Sequence, residues 1–560
     1  MPRRFALLLL LVPPAAAAGQ AELPRTHRPA PTGPAITPGD LMTRLYIFAD
    51  DSMRGREAGT PGNVKGTDYI AAEIKRAGLV PAGEDGTYFQ TIPLKTRTFD
   101  TTSTFTLAGA RLTAFTDYLP LGPRPLESQA LSIVFGGEVG DSATRITAEQ
   151  ASGKLVVLRV PGGALGLRAL RNAPSVPGAA GVALVALDSL PPQVVAFLRR
   201  PRTVLDDGLA AQAPAFVISA ATAAKMFTTP LEHLTAGAAG TTAAVAVRFD
   251  VVPVADPARN VVGIVPGSDP KLKGEYIAVG AHNDHIGFSR VAVDHDSIRM
   301  WNHVVRPEGA DDAGKQATPE QQARVDSLLA RFRSGQRGGS RADSIANGAD
   351  DDGSGSVAAL EIAERIASLK RKPKRSILFV WHTGEEKGLL GSRYFTDHPT
   401  VPRDSIVAQL NMDMVGRGAA GDETGRTRDG APLHGGPRYL QLVGSRRLST
   451  ELGDLVERVN TAGRHGLVFD YSIDADGHPA NIYCRSDHYE YARYGIPITF
   501  FTTGLHSDYH QVTDEPEYID YEHMARVANL VEDVVRHVAD LDHRVLVDHP
   551  KPDPNAPCRQ

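Results

Sequence analysis

Apolar residues form long, nearly unbroken runs in the second half of the chain. Examples are "NVVGIVPG", "GEYIAVGAH", "RSILFVWHTGEE", "DSIVAQLNMDMVG" and "PITFFTTGLH". Strands that are apolar on both faces are typical of a mostly parallel sheet covered by helices. Between them, "SVAALEIAERIASL" places apolar residues at helical spacing. The pattern therefore predicts an α/β fold in which helices sandwich a mostly parallel, mixed sheet.

The first half of the chain has a different pattern. Two helices are predicted near its start, from Thr37 to about Ala49 and over residues 63–77, and Gly78 can cap the second. Residues 105–250 are rich in Ala, Gly and Val, poor in charge, and lack a cluster of acids, bases or metal ligands. We expect these residues to form a smaller inserted α/β or β-rich domain with a structural or substrate-gating role.

A polar segment, residues 289–347, interrupts the order of strands and helices. It holds one clear helix, "TPEQQARVDSLLARF", in which Thr318 can act as the N-cap and Pro319 fits the first helical position. We therefore predict an insertion, and its place between candidate site residues suggests that it shapes a substrate cleft.

The chain begins with "MPRRFALLLLLVPPAAAAGQA", which has the pattern of a secretory signal. Two arginines precede an apolar stretch that is too short to span a bilayer, and small residues follow. We predict a signal peptide over residues 1–18, a flexible leader over 19–37, and export to the periplasm or the extracellular space. No stable membrane insertion is expected after signal cleavage; a membrane anchor is the alternative.

Composition and cysteine usage narrow the picture further. A chain of 560 residues with 42% apolar and 22% charged residues is globular and too long for one core. The net charge of −5, without a basic run, excludes nucleic acid as an expected partner. Export would permit a disulfide between Cys484 and Cys558, but Cys558 lies in a Pro-rich tail, and we do not predict that bond.

Histidines and carboxylates follow the ends of the buried runs. They are His282 and Asp284, Glu385 and Glu386, Asp413, and His510. In open α/β sheets, sites form outside the carboxyl ends of the strands, so we expect these side chains to meet at one edge. A single Asp after a strand is usually a cap or a turn residue; the joint placement indicates a site.

Imidazole and carboxylate ligands without thiolate favour zinc, with manganese or cobalt as alternatives. This number of ligands is typical of a two-metal site that acts on one water. In "GEE", one carboxylate can bind metal while its neighbour serves as the general base. Asp284, two residues after His282, can orient the imidazole from behind.

Six motifs in order resemble the co-catalytic di-zinc aminopeptidases, a family that includes transferrin-receptor-like and glutamate-carboxypeptidase-like proteins. They are "GAHNDH", "GADDDGSGSVAALEIAE", "HTGEEKGLLGS", "NMDMVG", "RSDHYEYARYGIP" and "DYHQVTDEPE". The resemblance covers about 258–545 and also residues 38–95, and the middle segment resembles a protease-associated domain. It implies a zinc-exopeptidase-like catalytic domain.

The domain plan that follows from the resemblance has these parts: an N-terminal catalytic part (38–104), the protease-associated-like domain (105–250), the zinc peptidase catalytic domain (251–546, with insertion 289–347) and a tail (547–560).

The resemblance implies two zinc ions per chain. His282, Asp351 and Asp413 would hold one, and Asp351, Glu386 and His510 would hold the other, with Asp351 bridging. Glu385 would be the general base toward a zinc-bound hydroxide, and Asp284 the partner of His282. The family also tends to hold the peptide after the bridging Asp, here Asp351–Asp352, in cis.

Other residues near the motifs have less defined roles. Arg485, Tyr483 and His488 are candidate substrate contacts. His506 is a competing ligand to His510, which the resemblance favours. The run "GADDAG" (309–314) nearly copies "GADDDG", but it leads into the insertion, so we assign Asp351 as the bridge and expect Asp311 and Asp312 in a solvated turn, with a calcium site as the alternative.

The expected function is a secreted or periplasmic aminopeptidase that acts on peptide or protein N-termini. A carboxypeptidase or dipeptidase, a glutaminyl-cyclase-like acyltransferase and a non-catalytic receptor-like binding protein are the alternatives. The sequence indicates neither the preferred residue nor the oligomeric state.

Overall fold

The computed structural model describes residues 23–121, 124–141, 146–161, 176–206, 214–312, 315–335, 340–417, 425–426, 432–433 and 435–560. The predicted signal peptide lies outside these residues. Within the described ranges, none of the helices combines the length and the apolar character needed to cross a membrane.

A nine-stranded mixed sheet lies at the centre of the larger unit of the described chain. Its strands, in spatial order, are Val80–Pro81, Ala258–Val265, Ser376–His382, Tyr276–His282, Ile406–Met412, Ile498–Thr502, Tyr439–Val443 and Val468–Asp470, with Phe89–Ile92 also pairing with Ala258–Val265. The four middle strands, from 376–382 to 498–502 in this order, run parallel. Their flanking strands are antiparallel to them. The predicted α/β class with a mixed sheet is confirmed.

Helices cover both faces of this sheet. Ile277 and Val279 belong to one apolar cluster and Ala278, between them, belongs to another, because successive side chains point to opposite faces. The first cluster packs against helices 38–48, 355–368 and 521–539, among others. The helices of the described chain are Pro38–Phe48, Pro61–Arg76, Ala148–Ala151, Pro192–Leu198, Ala220–Met226, His295–Val305, Pro319–Gly335, Gly355–Ser368, Leu390–Asp397, Thr450–Ala462, His488–Ala492 and Tyr521–Ala539.

A second unit surrounds its own apolar core, which includes Phe105, Phe135 and Phe216. Its eight-stranded sheet has the order Ala110–Arg111, Thr104–Leu107, Ala239–Val247, Leu126–Glu138, Leu155–Arg159, Gly181–Val185, Ala215–Ile218 and Tyr118–Pro120. A separate three-stranded sheet has the order Arg202–Leu205, Leu94–Phe99 and Phe249–Pro253. The likeness to a protease-associated domain stays a prediction.

The segment 289–347 contains more regular structure than its sequence suggested. The strands Phe288–Asp294 and Ala342–Ile345 pair with each other and not with the central sheet. A helix that was not predicted, His295–Val305, follows the first strand and is capped by Asp294, whose side chain accepts a hydrogen bond from Ser297 N. The first strand is exposed along most of its length, so it lacks the buried alternation by which a sequence reveals a strand. A further short pair joins Gly425–Arg426 to Pro432–Leu433.

Both ends of the described chain contact the larger unit. In the predicted leader, Pro24 O accepts a hydrogen bond from the Tyr46 hydroxyl, and Leu23 and Ile36 contact the central core. The flexibility of this leader stays a prediction. The tail also packs, and Cys484 and Cys558 form a disulfide with Cα atoms 5.8 Å apart. The bond that was not predicted forms because the Pro-rich tail folds back, and Gln560 bonds to Tyr483 N at 2.9 Å.

Candidate metal centre

The four parallel strands deliver their polar residues to one edge of the sheet. His282 is the last residue of its strand, Asp413 directly follows Met412, and Glu385 and Glu386 come shortly after His382. His510 lies in the loop that follows the strand Ile498–Thr502. Parallel strands end at the same edge, and this common end explains why residues more than 200 positions apart meet.

Two clusters of possible metal ligands share one carboxylate. The first consists of His282, Asp351 and Asp413. His282 Nε2 lies 3.1 Å from Asp351 Oδ1 and 3.6 Å from Asp413 Oδ1. All three side chains are buried.

The second cluster consists of His285, Asp351, Glu386 and His510. His510 Nε2 lies 3.0 Å from Asp351 Oδ2 and 2.9 Å from Glu386 Oε2. His285 Nδ1 lies 2.8 Å from Glu386 Oε1 and 3.8 Å from Asp351 Oδ2. Asp351 therefore offers one oxygen to each cluster.

Buried hydrogen bonds hold Asp351 and its neighbours in place. The backbone N–H of Asp351 donates to Asp514 Oδ2 at 3.0 Å, and the backbone N–H of His282 donates to Asp352 Oδ2 at 2.9 Å. Ser486 Oγ donates to Asp413 Oδ2 at 2.7 Å. The Asp351–Asp352 peptide bond is cis, as the resemblance implies.

The charges at this edge are strongly coupled. Although burial opposes the shifts, the negative charge of Asp413 raises the pKa of His282, and that of Glu386 raises the pKa of His510, each well above the usual value. Burial likewise opposes a low pKa for Glu386, but the charge of His510 lowers that pKa to about 2. The buried carboxylates therefore stay ionised only because positive groups lie beside them at this edge.

Glu385 differs from the adjacent Glu386. Burial raises the pKa of the Glu385 carboxyl well above its usual value; the charge of His282 opposes this shift, and that of Glu386 supports it. Its backbone N–H donates to Asp284 Oδ1 at 3.2 Å. Two neighbouring carboxylates with opposite pKa shifts are suited to different tasks.

Asp284 contacts His282 in a way that the sequence did not predict. The ring Nδ1 lies 3.0 Å from the backbone oxygen of Asp284, whereas the carboxylate Oδ1 is 3.7 Å away. The main chain at Asp284 therefore makes the closer contact that fixes the ring, and the carboxylate accepts the bond from Glu385 N.

Two cavities meet at the clusters. A small pocket is lined by Asp351, Glu385 and Asp413 at the clusters and by a mainly apolar wall that includes Met414, Ile473, Ile482, Phe500 and Leu505. A wide cleft of about 1140 Å³ reaches the clusters at Glu386 and His510.

The candidate substrate contacts divide into two groups. Arg485 lines the smaller pocket. Tyr483 and His488 are buried and are not among the lining residues of these two cavities, and their role as substrate contacts stays a prediction. His488 stacks on Phe500, with ring centroids 4.6 Å apart, and burial lowers its pKa to about 3.

The near-copy of the aspartate motif forms a turn that is only partly solvated, because Asp311 is exposed and Asp312 is not. Asp312 is buried and accepts a hydrogen bond from Glu308 N at 3.0 Å. Asp311 forms an ion pair with Arg485, in which Nη1 and Oδ2 are 2.5 Å apart. The turn Gly309–Asp312 therefore docks against the pocket wall. His506, the competing ligand, instead lies 3.1 Å from Asp350 Oδ2.

His285 is the residue that sequence reasoning missed. It is fully buried, and its ring stands edge-on to that of His510, with centroids 5.5 Å apart. Gly348 leaves room for the ring, because a Cβ there would lie 2.5 Å from His285 Cγ. The second histidine of "HNDH", one residue after Asp284, was the available signal.

The side chains fit a pair of zinc ions. Among the described residues, the buried atoms without a hydrogen-bond partner of suitable geometry include His282 Nε2, both ring nitrogens of His285, Glu386 Oε1 and Asp413 Oδ1. Ligands of a tetrahedral zinc ion, bound at about 2.0–2.1 Å, lie roughly 3.3 Å apart. The separations of 2.8–3.8 Å around Glu386 and Asp351 bracket that value.

Comparisons with known proteins point to one family. Residues 323–535 match the model of Peptidase family M28. Leupeptin-inactivating enzyme 1 of Streptomyces exfoliatus is 40% identical over 81 residues, which is 14% of this chain and 18% of that protein. Leucine aminopeptidase 1 of Sclerotinia sclerotiorum is 29% identical over 206 residues, 35% of this chain and 47% of that protein. The chain spans less than half the length of these two relatives.

Among solved structures, an aminopeptidase from Aneurinibacillus sp. strain AM-1 is 17% identical, with 92% of this chain and 97% of that chain covered and a TM-score of 0.46. A Porphyromonas gingivalis glutaminyl cyclase is 20% identical, with 51% and 79% covered and a TM-score of 0.31. The family match includes Asp351, Glu385, Glu386, Asp413 and His510. Residues 323–535 are therefore similar to Peptidase family M28, in agreement with the zinc aminopeptidase motifs of the sequence.

Proposed function

We propose that this protein is a zinc-dependent metallo-exopeptidase that removes residues from the N-termini of peptides. The observation that carries the proposal is the position of Glu385 in a small, largely apolar pocket that it shares with Asp351 and Asp413. One pocket thus contains a base, metal ligands and an apolar wall that can accommodate a substrate side chain.

His282, Asp351 and Asp413 would hold one zinc ion. Asp351, Glu386 and His510 would hold the other, with His285 as a fourth group. Bound there, the zinc pair would supply Lewis acidity toward the attacking water and the scissile carbonyl. A zinc ion with three protein ligands has one coordination position left, whereas four ligands leave none. The site of His282, Asp351 and Asp413 is therefore the better place for water or substrate.

Glu385 would move the proton. Its carboxylate would accept a proton from the attacking water and return it to the leaving amine. Burial raises the pKa of the Glu385 carboxyl, and a carboxylate with a higher pKa is a stronger proton acceptor. The carboxylate of Asp284 would help to position Glu385, because it accepts a hydrogen bond from the backbone N–H of Glu385.

The charge around the smaller pocket favours an aminopeptidase over a carboxypeptidase. Asp351, Glu385 and Asp413 are acidic, and Arg485, the cation on the wall, is paired with Asp311. Bound zinc would neutralise the ligand carboxylates, so Glu385 is the acid that would attract a free ammonium group. Arg485 is already paired and is not available to bind a terminal carboxylate. The first side chain of the substrate would pack against the apolar wall of the small pocket, and the rest of the peptide would lie in the wide cleft.

A substrate panel tests the proposal. It contains aminoacyl and peptide substrates with free and with acetylated N-termini, assayed with and without a chelator. We expect cleavage of the free forms, none of the acetylated forms, loss with chelator and recovery with zinc. Cleavage of blocked substrates at equal rates would contradict aminopeptidase action. Metal analysis separates the alternatives: two zinc ions per chain fit the peptidase, one fits a cyclase-like acyltransferase, and none fits a binding protein.

We also propose that the protein acts after export. The first residues have the pattern of a signal peptide, and the disulfide Cys484–Cys558 is typical of an oxidising compartment. Cell fractionation tests this, and a cytosolic pool of full-length protein with free thiols would contradict it.

A further inference from the structure

Two arginines face each other on the wall of the wide cleft. Arg97 lies on the strand Leu94–Phe99 and Arg202 on the strand Arg202–Leu205. These strands are antiparallel, and the two residues are direct partners in the register. Both side chains line the cleft that also contains Glu386 and His510.

Neither arginine has an acidic partner in the described part of the chain. Arg97 is only 6% exposed, and its Nη1 is buried without a hydrogen-bond partner. Its guanidinium carbon lies 4.7 Å from the centroid of the Phe249 ring. The carboxylate of Asp206, just beyond the second strand, pairs with Lys95 at 2.8 Å instead.

This arrangement is costly for a protein that binds nothing there. Like charges directly opposite each other destabilise an antiparallel pair, and a buried charge without a partner has a high desolvation cost. Burial, followed by the positive charge of Arg202, lowers the pKa of Arg97 to about 10. Both groups are still cationic at neutral pH, so an anion between them would offset the repulsion.

The cleft connects the two arginines with the metal centre, so a peptide bound at the metals can extend to them. Its volume of about 1140 Å³ is sufficient for a short peptide. Phe197 and Phe288 line it as well, and 61% and 52% of their surfaces are exposed. Arg200, Lys387 and Arg393 also line the cleft, so it combines apolar surface with several cations, which suits a peptide that carries an acid group.

We propose that Arg97 and Arg202 bind a carboxylate of the peptide on the leaving side of the scissile bond. This inference rests on the proposed peptidase function and names its substrate class: short peptides with a free acid group. A guanidinium binds a carboxylate through paired, charge-assisted hydrogen bonds. The carboxylate can be the C-terminus or an Asp or Glu side chain, and the experiment has to separate these two sources.

The test compares matched peptides of two to five residues. One arm compares the free C-terminal acid with the amide; the other compares Asp with Asn at each position after the first, in amidated peptides. For the wild type, we expect kcat/KM to be on the order of 10- to 100-fold higher for the acid form in at least one arm. The arm that shows the difference identifies the source of the carboxylate.

The variants Arg97→Met and Arg202→Gln should each reduce this acid preference toward unity. Lys95→Gln is the matched control, since Lys95 is a cation two residues from Arg97 that already pairs with Asp206. Its acid preference should equal that of the wild type. Equal cleavage of acid and amide forms by the wild type, or a preference that both arginine variants retain, would overturn the inference.

A binding measurement separates this inference from the proposed function. Calorimetry with zinc-loaded Glu385→Gln protein reports the Kd for acid and amide peptides without turnover. Tighter binding of the acid form, lost in Arg202→Gln, supports the arginine site even if the reaction is of another kind. Equal affinities refute the site, whereas absence of cleavage of every peptide by the wild type refutes the proposed function.

Discussion

Asp351 belongs to both clusters of possible metal ligands, and each of its two carboxylate oxygens faces a different cluster. One oxygen lies 3.1 Å from His282 and the other 3.0 Å from His510. Burial opposes a low pKa for Asp351, but the close contacts with these two rings lower that pKa well below its usual value. A carboxylate that stays ionised in this way can bridge two cations.

Glu385→Gln should separate metal binding from turnover. The substitution removes the proton acceptor but no ligand of the two clusters, so kcat should fall by about 10²- to 10⁴-fold while zinc content is unchanged. Steady-state kinetics and metal analysis measure the two effects, and Glu149→Gln, an exposed residue of the smaller unit, is the control. Activity within a few-fold of the wild type would show that Glu385 is not the base.

His285→Ala should weaken the second metal position selectively. If His285 is a fourth ligand there, its loss should lower the affinity of that position by roughly 10- to 100-fold, and the first metal should stay bound. Competition with a graded series of chelators and the visible spectrum of the cobalt-substituted protein report this independently of activity. The exposed His303→Ala is the control. Unchanged affinities and spectra would assign His285 a packing role.

At the residue scale, the sequence predicts most of the cluster because polar residues at the ends of parallel strands have a common location. It does not reveal His285, because whether a histidine near the edge turns toward the carboxylates depends on packing, here on the space beside Gly348. It also does not reveal that the main chain of Asp284, and not its carboxylate, lies closest to His282.

The insertion and the loop that carries His510 form one packed element. Ala310 N donates to Tyr509 O at 3.1 Å, and Asn302 Nδ2 donates to Gln511 Oε1 at 3.2 Å. Asp311 adds the ion pair with Arg485. We propose that the insertion shapes the substrate pocket through these contacts.

Asp311→Asn should change substrate preference. Without its partner, Arg485 would present a net positive charge to the pocket, so peptides that begin with Glu should gain up to about 10-fold in kcat/KM relative to those that begin with Gln. The ratio of the two rates is the measurement. Asp326→Asn, an exposed change in another helix of the insertion, is the control. An unaltered ratio would mean that Asp311 only anchors the turn.

At the element scale, prediction succeeds where burial is periodic. The helices Pro38–Phe48 and Pro61–Arg76 lie where their caps and apolar stripes indicate. The exposed strand pair of the insertion and the core contacts of residues 23–37 escape prediction, because their positions depend on surfaces that other elements provide. The same reason explains why Asp312 is buried although the segment around it has the sequence of a polar turn.

At the scale of the whole molecule, the metal centre lies between a small pocket and a wide cleft. Residues of the first hundred positions, of the middle unit and of the last sixty positions line the cleft together. Composition predicts more than one unit, but it cannot place Arg97 in the same cavity as His510. Relative placement is a property of tertiary packing, which no local pattern encodes.

Cys558→Ser should affect the pocket more than the metal centre. The disulfide ties the tail to the turn Ile482–Cys484, whose first residue lines the small pocket. Without the bond we expect KM to rise several-fold and the zinc content to stay the same, as measured by kinetics and metal analysis. The exposed, distant Ser340→Ala is the control. Loss of both metals would instead indicate a general folding defect.

The same bond couples substrate affinity to the redox state of the surroundings. If the enzyme is exported as proposed, Cys484 and Cys558 stay reduced until it leaves the compartment in which it is synthesised. Until then its KM would be several-fold higher, so the exported, oxidised form would act more effectively on dilute peptides.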